Sequence, residues 1–324
     1  MTEWIANLQA WLFETLVQPA MFSLGLGEFV EDAFNGVEWF VWGLIQLVLL
    51  FLILRPLEAW LPVQTIRNRW ARWNDFIYTA LHRLGAFSVL TFFLLTPLMD
   101  QLTATLHLQG MNPFNLENLW SGFLQYPALL FFAYLVVLDF FDYWYHRSEH
   151  QFNWWWGLHS LHHSQQDMNL WSDNRNHLLD DLLRDIYMGI IAIVIGVEPG
   201  QYVLLVMASQ MLQSLQHANV RIHFGRWGEY LLVSPRYHRL HHAIGIGHES
   251  DGEGTLGGHN FAVLFPVWDL LFGTARFTSE FVETGIRDQL PPPAGQGRDY
   301  GSGFWAQQKL GILRMLGIDK ETKA

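Results

Sequence analysis

Three long stretches without a charged side chain, Trp39 to Leu54, Leu84 to Met99 and Trp120 to Leu138, dominate the polarity pattern of the chain. Each approaches the roughly 20 apolar residues that a spanning helix needs, and Trp42, Trp60 and Trp120 supply interfacial anchors. The pattern predicts three transmembrane helices within residues 37–141. A fourth apolar region, Ile186 to Leu215, is broken at Glu198-Pro199-Gly200. Proline and glycine beside a charge predict a turn there, hence a helical hairpin (186–215) that spans fully or in part. Upstream, "NLQAWLFETLVQPAMF" reads as an amphipathic helix ending near Pro19, on the outer surface, within an external segment 1–36. Downstream, Gly285 to Gly303 predicts an extended linker. "FWAQQKLGILRMLG" then reads either as a surface helix with Trp305, Ile312, Leu313 and Leu316 toward the membrane or as a packed terminal helix, closing a region 281–324.

Charge placement agrees with this division. Only 15% of the 324 residues are charged, against about 25% in ordinary soluble domains. Residues 1–36 carry Glu3, Glu14, Glu28, Glu31 and Asp32 but no Lys or Arg, and residues 100–119 have none either. The loop after the first span holds Arg55, Arg67, Arg69, Arg72 and Arg83, and the remaining basic residues follow the third span. With an outside N-terminus, every Lys and Arg then falls on one side, which the positive-inside rule makes the cytoplasm. For a bacterial chain that membrane is the inner one. The net charge of −11 describes the exposed faces, and with no basic stripe in the sequence no nucleic-acid partner is expected. The absence of cysteine excludes disulfides, thiolate metal sites and a protein-borne iron–sulfur cluster. The N-terminus lacks the basic n-region and small-residue cleavage site of a secretory signal. No dinucleotide loop, Walker segment or G-x-S-x-G elbow occurs.

The chemistry lies in the histidines. His146 and His150 in "YHRSEH" are four apart, and Asp142 sits one turn earlier on the same face, placed to accept the ring N–H of a ligating imidazole. The pattern HxxHH occurs twice, as His159, His162 and His163 and again as His238, His241 and His242. On helices each cluster presents its imidazoles together, and eight are too many for one ion, so two metals are expected. Imidazole alone does not choose among Zn, Cu, Fe and Ni. Both HxxHH clusters lie outside the uncharged spans, with Trp154, Trp155 and Trp156 just before the first, which predicts a site just below the membrane surface. A histidine-rich metal transporter would carry its ligands near mid-bilayer, yet the three spans contain no histidine. A metal-dependent lipid hydrolase is the other alternative on the same residues.

Together "DYWYHRSEH", "HSLHHS", "QHANV", "SPRYHRLHH" and "WDLLFGT", in order over Tyr134 to Thr274, resemble the fatty acid hydroxylase and sterol desaturase superfamily of integral membrane di-iron oxygenases. The resemblance implies an all-α membrane bundle whose cytoplasmic cap (142–280) holds two iron ions. It implies ligands at His146, His150, His159, His162, His163, His238, His241 and His242. His217 in "QHANV" is the ninth and His177 in "NRNH" the tenth, the latter held otherwise by Asp173, Asp180 or Asp181. The implied reaction is hydroxylation or desaturation of a fatty acyl chain, sterol or other lipid with O2 as cosubstrate. Electrons would come from a separate cytoplasmic carrier, ferredoxin-like or a b-type cytochrome with its reductase, because no flavin or dinucleotide fingerprint is present. His259-Asn260-Phe261 departs from the superfamily's usual Asn-Tyr-Gly, and His223, His248 and His259 receive no role. His82 and His107 are expected to be structural or interfacial.

Overall fold

The computed structural model describes residues 3–110, 114–244 and 258–318. Among them there is no β-strand, only two isolated bridges, Pro62 with Val220 and Ala243 with Thr284. Helix α1 (3–23) runs through a π-helical stretch, Phe13–Val17, and Pro19 does not end it but opens its final segment, Gln18–Ser23. It packs along α2 (30–60), with Ile5 and Phe13 buried against Val37 and Val41. The N-terminal segment therefore forms half of a helical hairpin.

α2 is continuous through a second π stretch, Leu50–Leu54, and its outward residues Phe51, Leu52 and Ile53 are 62%, 66% and 56% exposed. Consecutive large apolar side chains facing outward fit lipid rather than water. α3 (Arg69–Arg83) is capped by Asn68, whose side chain accepts from the Ala71 N–H at 3.0 Å, and leads into α4 (Ala86–Leu108). The expected third span begins later than predicted. Pro127 sits in the first turn of α5 (Pro127–Gln151), while residues 122–125 form a separate turn of helix. Among the described residues two helical stretches, Gly27–Trp60 and Pro127–Gln151, are long and apolar enough to cross a membrane. α4 adds a third helix of 23 residues.

α6 (Asn153–His163) follows α5 after one extended residue, Phe152. The predicted hairpin is present as α7 (Leu178–Ile195) and α8 (Pro199–His217). Gly196, at φ 72°, ends α7 in the left-handed conformation that glycine adopts without strain. Leu130, Tyr134 and Leu138 of α5 bury against Met188, Ile195 and Leu205 of this hairpin. α9 (Pro235–His241) is capped by Ser234, which accepts from the Tyr237 N–H at 3.1 Å, and α10 is the short Val267–Leu271. α11 (Phe304–Met315) packs one face, Gln307, Gln308, Gly311 and Arg314, on the cap and leaves Trp305 and Lys309 outside. It lies against α6 so closely that a Cβ on Gly157 would come within 2.5 Å of the Met315 nitrogen. Gln307 is hydrogen-bonded to Asn74 and Tyr78 of α3, and Trp305 is left 78% exposed.

Candidate metal centre

α5, α6, α8 and α9 bring nine of the predicted histidines to one place and divide them. The ring nitrogens of His146, His150, His159, His163 and His241 lie within 4.8 Å of one another, and so do those of His162, His217, His238 and His242. The division explains the spacing. In each HxxHH segment the two histidines four apart stay together, His159 with His163 and His238 with His242, and the remaining one crosses to the other group. His146 and His150 complete the first group and His217 the second.

Protons are assigned by carbonyls. The Nδ1 of His146 is 2.8 Å from the Phe261 carbonyl, that of His241 is 2.7 Å from the His259 carbonyl, and that of His217 is 2.8 Å from the Gln213 carbonyl. Each Nδ1 must donate, which leaves Nε2 as a lone pair facing inward. The Nε2 atoms of His159, His163 and His241 are buried and have no hydrogen-bond partner among the described residues. In the second group the Nε2 of His217 is 3.1 Å from that of His162 and 3.0 Å from that of His238, and His238 is 3.1 Å from His242. Two nitrogens bound at right angles to one ion at ~2.1 Å are ~3.0 Å apart. Converging lone pairs at that separation repel unless a cation lies between them, so the residues fit one metal in each group.

The electrostatics favour ligation as well. His162, His163, His238 and His242 are held well below the usual imidazole range, by burial first and then by neighbouring imidazoles. Burial likewise lowers His241 to about 3. All five are thereby neutral, the form that binds a metal. His159 differs. Burial disfavours its charge, but Glu149 and then Asp180 outweigh that and raise it to about 10. Its Nδ1 is 3.2 Å from Glu149 Oε1 and 3.4 Å from Asp180 Oδ2. Trp155 Nε1 donates to Asp180 Oδ1 at 2.7 Å, and the Tyr145 hydroxyl donates to the same atom at 3.2 Å.

Two sequence expectations are corrected. Asp142 does not orient His146: it receives Arg184 Nε at 3.0 Å together with Arg184 Nη2, and that charge-assisted pair outcompetes a neutral imidazole. His177 joins neither group. It caps α7, its Nδ1 accepting from the Leu179 N–H at 3.1 Å, while its Nε2 donates to the Gln308 carbonyl at 2.8 Å. Gly311 of α11 approaches so closely that a Cβ there would be 2.3 Å from His177 Cδ2. His82 is paired with Asp181 at 2.9 Å, His223 accepts from the Gly225 N–H, and His107 faces outward. His248 lies outside the described residues.

Sequence reasoning missed the loop that supplies the two carbonyls. Asn260 is fully buried at φ 59°, and its side chain donates to the Tyr237 and Arg276 carbonyls at 3.1 and 3.0 Å while accepting from the Arg276 N–H at 2.7 Å. Asp269 of "WDLLFGT" accepts from the N–H groups of Phe261 and Ala262, from Thr274 and from Tyr237. Asp139, one turn before Tyr143 on α5, accepts from the N–H groups of Leu264 and Phe265. Behind the second group, Arg83 and Arg175 make buried ion pairs with Asp173 and Asp75 at 2.8 and 3.0 Å. Ser214, one turn before His217, donates to Asp173 at 2.7 Å.

Residues 131–274 match the profile of the fatty acid hydroxylase family. The chain is 31% identical over 160 residues to alkylglycerol monooxygenase of Homo sapiens, covering 49% of this chain and 33% of that protein. It is 26% identical over 140 residues to the ornithine lipid hydroxylase OlsE of Rhizobium tropici, covering 43% of this chain and 40% of that protein. The chain thus spans between a third and two fifths of the length of these relatives. No solved structure matches it.

Proposed function

We propose that this chain is a membrane di-iron oxygenase that hydroxylates a lipid, a reading supported by the match of its histidine-bearing segment to the fatty acid hydroxylase family. The observation that carries the proposal is the pair of adjacent all-imidazole groups, the first of them reached by the C-terminal end of the apolar helix α5. Zinc has no redox chemistry, so an O2-dependent reaction at such ligands calls for a redox-active metal, and imidazole accommodates iron.

Bound iron would supply the activation of O2 and the removal of hydrogen from an unactivated C–H bond. His146, His150, His159, His163 and His241 would hold one ion, and His162, His217, His238 and His242 the other. The Phe261, His259 and Gln213 carbonyls keep the ligating nitrogens unprotonated and aimed. Glu149 and Asp180 hold the Nδ1 proton of His159. Burial of all nine imidazoles keeps bulk water from the reacting atoms. Lipid would approach from the side of α5, α7 and α8, whose outer faces are apolar. Two electrons per turnover would come from a cytoplasmic carrier, and the N-terminus would lie outside with the histidine cap in the cytoplasm, as the arginine distribution favours.

Anaerobic purification in a gentle detergent tests the assignment: about two irons per chain are expected, with O2 consumption coupled to incorporation of one labelled oxygen atom into lipid. A reproducible single metal, or lipid turnover supported by zinc without O2, would remove the di-iron oxygenase reading. Loss of hydrogen without incorporated oxygen would make the product an alkene.

A further inference from the structure

Residues 261–272, "FAVLFPVWDLLF", carry a single charge, Asp269. A run of that length is too short to cross a bilayer and suits either a re-entrant segment or a buried core element. Its place in the fold decides between them. The run lies along α5, on a different face from Leu130, Tyr134 and Leu138, which the α7–α8 hairpin covers. The Phe265 ring is 5.6 Å from Phe132, Trp268 is 5.0 Å from Phe140, and Phe272 is 4.8 Å from Trp144.

These contacts set a depth. From Pro127 to Trp144 α5 rises ~26 Å, close to the ~30 Å of a bilayer's hydrocarbon. The Arg147 guanidinium lies over the Trp144 ring at 5.3 Å, an aromatic and basic pair suited to the boundary on the histidine side. Counted from Trp144, Asp139 is ~8 Å and Phe132 ~18 Å into the span. Asp139 accepts from the N–H groups of Leu264 and Phe265 at 2.8 and 3.0 Å, so the backbone of the run, and not only its rings, is at hydrocarbon depth.

Irregular backbone at that depth is tolerated only where the protein takes up its polar groups. Here it does. Besides the two N–H groups held by Asp139, those of Phe261 and Ala262 are held by Asp269, which is itself fully buried. Trp268 Nε1 donates to Asp139 at 2.9 Å, the Val263 carbonyl accepts from Gln216 Nε2 at 2.9 Å, and the Leu264 carbonyl accepts from the Val233 N–H at 2.8 Å. What is left outside is apolar: Val267, Leu270 and Leu271 are 45%, 41% and 66% exposed, beside Leu129 and Phe132 of α5 at 42% and 50%. An apolar surface continuous with the exposed side of a spanning helix calls for the same solvent as that helix.

We propose that residues 264–272 form a re-entrant segment seated in the acyl chains of the leaflet on the histidine side. Through Asp269 it fastens to the bilayer the loop whose His259 and Phe261 carbonyls hold His241 and His146. The proposal rests on the reading of α5 as a spanning helix. Because the chain has no cysteine, a thiol introduced by Val267→Cys or Leu271→Cys takes a single nitrobenzoxadiazole label in the full metal-loaded chain in phosphatidylcholine nanodiscs. Phe51→Cys, on the outward side of α2, is the lipid reference, and Gln296→Cys, exposed in the 285–303 stretch, is the water reference. Two quenchers distinguish the surroundings, iodide in the water and phosphatidylcholine spin-labelled on its acyl chain. Labels at 267 and 271 should behave as the one at 51 does, quenched by the spin-labelled lipid and protected from iodide, with the order reversed at 296. A variant that does not elute as wild type is replaced by Leu270→Cys. Iodide quenching at 267 and 271 while the label at 51 stays lipid-quenched overturns the proposal and leaves the span reading intact. Protection from both quenchers overturns it as well, since a protein surface, such as a second copy of this chain, would then cover the run. Iodide quenching at 51 removes the span reading and the proposal with it.

Discussion

Replacing Asn260 with alanine should loosen the five-histidine group although the Asn260 side chain is hydrogen-bonded to Tyr237 and Arg276 and not to a histidine. The substitution removes three side-chain hydrogen bonds, two to the Tyr237 and Arg276 carbonyls and one from the Arg276 N–H. At about 1 kcal/mol each, with the groups left behind buried, that is roughly 3 kcal/mol. Holding alanine at φ 59° costs ~1 kcal/mol more. About 4 kcal/mol in all is enough to let the loop leave its position, and with it the His259 and Phe261 carbonyls that hold His241 and His146. Loss of an orienting partner typically costs ~10–100-fold in metal affinity, and here two ligands share the loss. Competition between the purified protein and a calibrated iron chelator measures it: one iron should weaken by at least about tenfold while the other is retained. Asn260→Gly relieves the backbone strain but not the lost hydrogen bonds, so its effect should be intermediate. If Asn260→Ala binds both irons within twofold of wild type, the loop does not position these ligands.

His241→Ala and His162→Ala should each lower iron content from opposite groups and abolish turnover, whereas His82→Ala should keep both irons; equal depletion by all three would refute the partition. His177→Ala should retain full iron but lower the unfolding temperature, because both ring nitrogens are spent on α7 and α11. Iron loss in that variant would restore His177 to the ligands. Metal loading at pH 8 should release about one proton per chain, because His159, with its pKa raised to about 10, is the histidine that starts charged and must shed a proton to ligate. An indicator dye in weak buffer reads it, and no release would mean that His159 is already neutral. Reporter fusions after Leu61 and at Ile318 should be cytoplasmic and one near Gln109 external, as an outside N-terminus requires.

The histidine clusters were legible because helical periodicity is local: residues three and four apart share a face whatever the tertiary structure. Which histidine goes to which group was not, since it depends on how α6 and α9 face one another across the site. The partners that orient His146 and His241 are backbone carbonyls, which leave no side-chain signature. Asp142 was placed on the correct face of α5, but local geometry says nothing about Arg184, which arrives from a different helix. His177 follows an arginine as a ligand would, yet only α11 reveals that its nitrogens are occupied. The apolar hairpin was recoverable from one Pro-Gly pair, while the first helix was read past its partner, because an amphipathic stripe fits another helix as well as a membrane surface.

The contact between α11 and α6 also concerns time. Every proposed ligand has been synthesised once His242 is added, but the helix that braces α6 and fastens His177 is synthesised only after the whole 243–303 stretch. At ~5–20 residues per second that is an interval of seconds. During it the first HxxHH segment has its donors in place without the brace that holds them, so metal acquired early would be held less firmly than metal acquired once α11 is in place. Maturation of the centre is thereby coupled to the synthesis of α11.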